Sequence, residues 1–124
     1  MGQRKQSRLD KLWKKQMKKG DVCIIDLSLG TGHEQHGKRP AVLISDTKTN
    51  IAIVVPITSN MEALKFPHTL IITPDKQNKL DQKSIAMIFQ LRAVDKTRII
   101  KIIGRLNKNI VDILDKMIRK MLDL

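Results

Sequence analysis

Asp21-Val-Cys-Ile-Ile-Asp-Leu27, Ala41-Val-Leu-Ile-Ser45 and Ile51-Ala-Ile-Val-Val-Pro-Ile57 are three apolar runs set close together in the first half of the chain. Each is too short for a stable helix, rich in β-branched residues and bounded by Gly, Asp, Asn or Ser, which reads as a strand. Phe66 to Ile72, Ser84 to Phe89 and Thr97 to Ile103 repeat the pattern. Strands this short and this closely spaced predict a small antiparallel barrel or sandwich of about six strands. Pro56 cannot donate to a ladder, so its strand is expected to lie at an edge or to bulge there.

Two stretches carry helical spacing instead. Ile110, Ile113, Leu114, Met117, Ile118, Met121 and Leu122 recur at three and four, with Asn107 as the expected N-cap. Covering the sheet is the expected use of that stripe. Near the start, Leu9, Leu12, Trp13 and Met17 share one face among lysines, and Gly20 ends the run. The chain therefore reads as mainly β with α, divided into a basic extension (1–19) and a body (20–124).

At 124 residues the chain is the size of one domain. No apolar run reaches the ~20 residues of a membrane span, and no secretory core is visible at the N-terminus. The single cysteine, Cys23, falls inside an apolar run and reads as a small hydrophobe in a reducing cytoplasm. A net charge of +12 favours a polyanionic partner. The charge is uneven: residues 1–19 hold eight Lys or Arg against one Asp. Only Trp13, Phe66 and Phe89 are aromatic, too few for a protein that grips single strands by stacking bases.

The densest chemistry lies between the first two strands, in Gly30-Thr-Gly-His-Glu-Gln-His-Gly-Lys-Arg-Pro40. Its glycines let backbone amides approach a ligand, and Pro40 pushes Arg39 into an extended conformation where the loop becomes a strand. His33-Glu-Gln-His36 is one residue short of a zinc-binding helix motif and is flanked by glycines, so no metal and no cofactor is expected. Lys76 to Lys83 reads as a polar, mobile loop.

Four blocks together resemble the PemK/MazF family of toxin–antitoxin endoribonucleases: Gly20-Asp-Val-Cys-Ile-Ile-Asp-Leu27, Gly32-His-Glu-Gln-His-Gly-Lys-Arg-Pro40, Val55-Pro-Ile-Thr-Ser59 and Gln90-Leu-Arg-Ala-Val-Asp-Lys96. Ile103-Gly-Arg-Leu106 and the closing helix are similar too. The resemblance covers about residues 20–124. It implies an SH3-like barrel with a C-terminal helix, working as a homodimer; the extra basic helix in front, read from its spacing, falls outside it. It also implies metal-independent cleavage of single-stranded RNA, held in check by a cognate antitoxin; the basic charge makes the expected antitoxin an acidic protein, and the lone cysteine fits the cytoplasm. The family's functional Arg before Pro matches Arg39, its Thr at the end of the third strand matches Thr58, and a His used by some members matches His33. Gly32, Glu34, Gln35, Lys38, Ser59, Gln90 and Arg92 are the residues expected to hold RNA. Many members carry an acid where this chain has Phe89, and some an Arg where it has Met87; neither role can be carried over.

Cleavage without a metal makes the 2′-hydroxyl the nucleophile on its own phosphate. The site must take that proton, stabilise a doubly negative phosphorane and protonate the departing 5′-oxygen. Arg39 suits the phosphorane, with a fork for two phosphate oxygens and a charge too permanent for a base. Thr58 adds one donor. His33 titrates in the useful range and is the candidate acid or base, ahead of His36 and Glu34. Arg39 is expected to be exposed, and His68 to be an ordinary half-buried histidine. Two other readings stay open, a CcdB-like gyrase poison on the same fold and a catalytically inactive RNA binder. Gyrase poisons of that kind act through a tryptophan near the C-terminus, whereas this chain ends Met121-Leu-Asp-Leu124 with its tryptophan at position 13.

Overall fold

The structure, a computed structural model, describes residues 13–27 and 37–124. Seven antiparallel strands make the body: β1 (Asp21–Asp26), β2 (Lys38–Asp46), β3 (Ile51–Thr58), β4 (Thr69–Ile72), β5 (Ser84–Met87), β6 (Arg92–Asp95) and β7 (Ile99–Arg105). One helix, α1 (Lys108–Met121), closes the chain. The strand order is β4-β5-β3-β2-β1-β7, with β6 also paired to β3. No ladder joins β4 to β7, so the sheet is open where a closed barrel was expected.

β3 organises the sheet. Along one edge it pairs with β2; along the other it pairs first with β6, through Ile51–Val54, and then with β5, through Ile57 and Thr58. Pro56 therefore lies in a central strand, not at an edge. It sits in the gap where β3 exchanges one partner for the next, and there no N–H is required on that side. β6 is the strand missing from the sequence reading: of Arg92, Ala93, Val94 and Asp95 only Val94 is buried, so no apolar run marks it. β4 begins later than its apolar run suggests. Met61–Lys65 is a 3₁₀ turn, and His68, at φ +60°, bends the chain just before Thr69, so Phe66 and Pro67 stay outside the strand.

Alternate residues feed two apolar clusters. Cys23, Ile25, Ala41, Leu43, Ala52 and Val54 enter one, with Met17. Val22, Val42, Val55 and Ile57 enter the other, and α1 covers it with Ile110, Val111, Leu114, Met117, Ile118 and Met121. The helical stripe is thus used on the sheet, although Ile113 and Leu122 stay exposed. Asn107 caps α1 by accepting from the Ile110 N–H at 3.0 Å. The expected N-terminal helix is not seen: residues 9–12 lie outside the described part, and Trp13–Gln16 is a single 3₁₀ turn. Gly20 ends that segment at φ +93°, packed so near α1 that a Cβ would lie 2.9 Å from Val111 Cγ2.

Candidate active site

Arg39 and Thr58 meet. A cleft of about 370 Å³ is lined by Lys38, Arg39 and Pro40 from β2, and by Ile57, Thr58 and Ser59 from the end of β3. Neighbouring strands bring them together: Ala41 pairs with Pro56, so the start of β2 lies beside the end of β3. Arg39 is half-buried rather than exposed, held opposite Ile25 of β1. Its strand is preceded by Gly37, which has φ +92° and whose carbonyl accepts the Leu27 N–H at 2.9 Å. That left-handed turn is glycine's natural place, and the bond ties the start of β2 to the residue that follows β1.

Thr58 is oriented by its own backbone. Its Oγ1 accepts the Asn60 N–H at 3.2 Å, which leaves the hydroxyl proton to donate to a ligand. Asn60 in turn caps the following 3₁₀ turn through the Glu62 N–H at 3.0 Å, so the strand end is fixed on both sides.

The far wall was not legible from the sequence. Lys79, Asp81 and Gln82, from the segment joining β4 to β5, line the same cleft. That segment is clasped, not loose. Asn78 is 2% exposed; its Oδ1 accepts from the Asp75 and Leu80 N–H groups and its Nδ2 donates to the Thr73 carbonyl. Asp75 Oδ1 accepts from the Gln77 and Asn78 N–H groups at 2.8 and 2.7 Å. Three cations, Lys38, Arg39 and Lys79, therefore face a cleft with one described carboxylate, Asp81. The signal was an Asp75–Asn78 pair in a polar run, which is turn chemistry rather than mobility.

Gln90 and Arg92 do not line this cleft. Arg92 pairs with Val54, four residues along β3 from Thr58 and about 13 Å away at ordinary strand rise. Phe89 stacks against Phe66 with centroids 5.0 Å apart, and Met87 is buried beside Ile85 and Ala63. Phe89 and Met87 are thus apolar packing. Gly32, His33, Glu34, Gln35 and His36 lie outside the described residues. Among the described residues no group of three His, Cys, Asp or Glu side chains is placed to hold a metal. Cys23 is no nucleophile: burial, with the Asp21 charge beside it, pushes its thiol up to about 12.

The sequence profile of the PemK-like, MazF-like toxins of type II toxin–antitoxin systems matches residues 18–122. The chain belongs to the PemK/MazF toxin family. Endoribonuclease MazF of Staphylococcus saprophyticus is 38% identical over 87 residues, spanning 67% of this chain and 72% of that protein. The crystal structure of MazF from Deinococcus radiodurans covers 87% of this chain and 97% of its own, with a TM-score of 0.70 at 18% identity. An endoribonuclease in complex with its cognate antitoxin, from a mycobacterial species, covers 87% of this chain and 96% of its own, with a TM-score of 0.66 at 14% identity. Both structures share the fold of this PemK/MazF chain. Among the described residues no helix is long and apolar enough to cross a membrane.

Proposed function

We propose that this PemK/MazF toxin is a metal-independent endoribonuclease that cleaves single-stranded RNA in the cytoplasm and so blocks translation. The observation that carries this reading is the meeting of Arg39 and Thr58 in one cleft, with Lys38 and Lys79 beside them. The 2′-oxygen forms a bond to phosphorus as its proton leaves, and the bond from phosphorus to the 5′-oxygen breaks as that oxygen gains a proton. A 2′,3′-cyclic phosphate and a 5′-hydroxyl result. Arg39 holds two phosphoryl oxygens as charge builds, and Thr58 donates to one of them. His33 is the group we assign to proton transfer, because imidazole titrates near neutrality. Lys38 and Ser59 steady the flanking backbone, and Gly32, Glu34 and Gln35 are assigned to hold the strand on the strength of the family blocks alone.

The working form in this proposal is a homodimer inhibited by an acidic antitoxin. Met61, Leu64, Phe66 and Ile71 are exposed around β4, the terminal strand of the sheet, which suits a second copy. A net charge of +12 suits an acidic partner. The test is to incubate purified protein with long single-stranded RNA in EDTA and map the new ends. Cyclic phosphate at discrete sequences is the expected product; intact RNA overturns the assignment.

A further inference from the structure

We propose that the RNA strand continues out of the cleft into a second groove, which binds a phosphodiester beyond the scissile step. The proposal rests on reading the Arg39–Thr58 cleft as the cleavage site. The groove, about 510 Å³, is lined by Gln16, Asp21, Lys76, Gln77 and Arg105, and it shares Lys79 and Ile103 with the cleft. The two are therefore neighbours on either side of one ridge, and a strand leaving Arg39 over Lys79 enters the groove directly.

That ridge is fixed to the sheet. The Arg105 N–H donates to the Gln77 carbonyl at 2.8 Å. Gly104 of β7 lies beneath, so close that a Cβ there would stand 2.4 Å from the Gln77 carbonyl oxygen and 2.6 Å from that of Asn78. The loop bearing Lys76, Gln77 and Lys79 thus rests on bare backbone.

Arg105 is preoriented. Its Nε donates to Asp21 Oδ1 at 3.2 Å, and Asp21, 5% exposed, also accepts the Lys18 N–H at 2.9 Å on Oδ2. The Arg105 side chain is nonetheless 56% exposed. A buried carboxylate that grips Nε leaves the outer edge of the guanidinium turned to solvent, where a phosphate can take two donors without a large entropy loss. Lys76 and Lys79 add charge, and Asp21 is already balanced by Arg105. Gln16 and Gln77 bring amides that both donate and accept, as base edges and ribose hydroxyls require. The groove runs on from the cleft through Lys79 and Ile103, so a strand held at Arg39 has its next phosphodiesters within reach of these groups, and RNA is the occupant that continuity selects.

The test compares two RNAs that share a mapped cleavage site, one long and one trimmed to the nucleotides around the scissile bond. Lys76 is exposed, so Lys76→Glu should fold normally. It should raise KM for the long RNA roughly tenfold and change the trimmed RNA little, with the effect shrinking at high salt. Arg105→Lys keeps a charge beside Asp21 but loses the fork, and should shift KM the same way for the long RNA alone. An equal rise on both RNAs, or none on either, overturns the groove. So does an unchanged KM alongside lost affinity for a polyglutamate competitor, which would make it a peptide site. Fluorescence anisotropy with the long RNA keeps the two readings apart. Length-dependent affinity loss without any cleavage overturns the catalytic assignment only; cleavage without length dependence overturns the groove only.

Discussion

Arg39 has two separable properties, a charge and a shape. Lysine keeps the first and loses the second, because an ammonium is a point charge and cannot make two parallel bonds to a phosphoryl group. Arg39→Lys should therefore lower kcat by about 10²-fold while raising KM much less, the pattern of a contact made most strongly in the transition state. A raised KM with kcat intact would make Arg39 a docking residue. A second residue argument concerns Asp46, which is nearly buried and paired with Lys96. The Lys96 hydrogen bond, with the Lys48 N–H, holds its carboxyl down at about 2. A depressed folded-state pKa gives stability that is complete above the unfolded value, about 4, and disappears as pH falls through the folded one. Asp46→Asn should destabilise the protein at neutral pH, and the gap from wild type should close between about pH 4 and pH 2. Urea melts across that range measure it; a gap that does not depend on pH would mean the pair acts through packing alone.

The β4–β5 connection shows how an element can hide in sequence. Its lysines announced solvent, yet the buried Asn78 and the Asp75 turn make it a wall of the cleft. Gly104 is what allows it to sit there. Gly104→Ala forces a methyl against the Gln77 and Asn78 carbonyls, so the loop must lift. We expect a loss of about 1–3 kcal/mol in chemical denaturation, the ordinary range for overpacking, together with weaker RNA binding as Lys79 moves. Stability close to wild type would show that the loop gives way freely. The other elements differ in legibility for physical reasons. α1 was plain because a one-sided apolar stripe has a single good use. β1, β2 and β3 were plain because their apolar runs are short and sharply bounded. β6 was invisible because pairing to β3 holds it through backbone, with Val94 its one buried side chain. Of the site, Arg39 and Thr58 were legible from their motifs, whereas Lys79 and Asp81 were not, since only folding carries them across from β4–β5.

For the whole molecule, the distribution of charge decides how far the N-terminal extension can act. Its eight cations are the densest in the chain. Yet its last residues belong to the body: Met17 is 4% exposed in the core, Lys14 Nζ donates to the Lys96 carbonyl at 2.7 Å, and the Lys18 N–H holds Asp21. Removing residues 1–19 would thus damage the fold and confuse any effect on RNA. Removing residues 1–12 takes Arg4, Lys5, Arg8 and Lys11, with Asp10, and spares those contacts. Each phosphate neutralised on a single strand contributes about 0.7 to the slope of log affinity against log salt. If all four cations reach the strand, the truncated chain should show a slope shallower by nearly 3. The two affinity lines should then diverge at low salt and converge as salt rises, because the lost contacts are the screened ones. Parallel lines would mean that the extension's charge serves something other than the RNA.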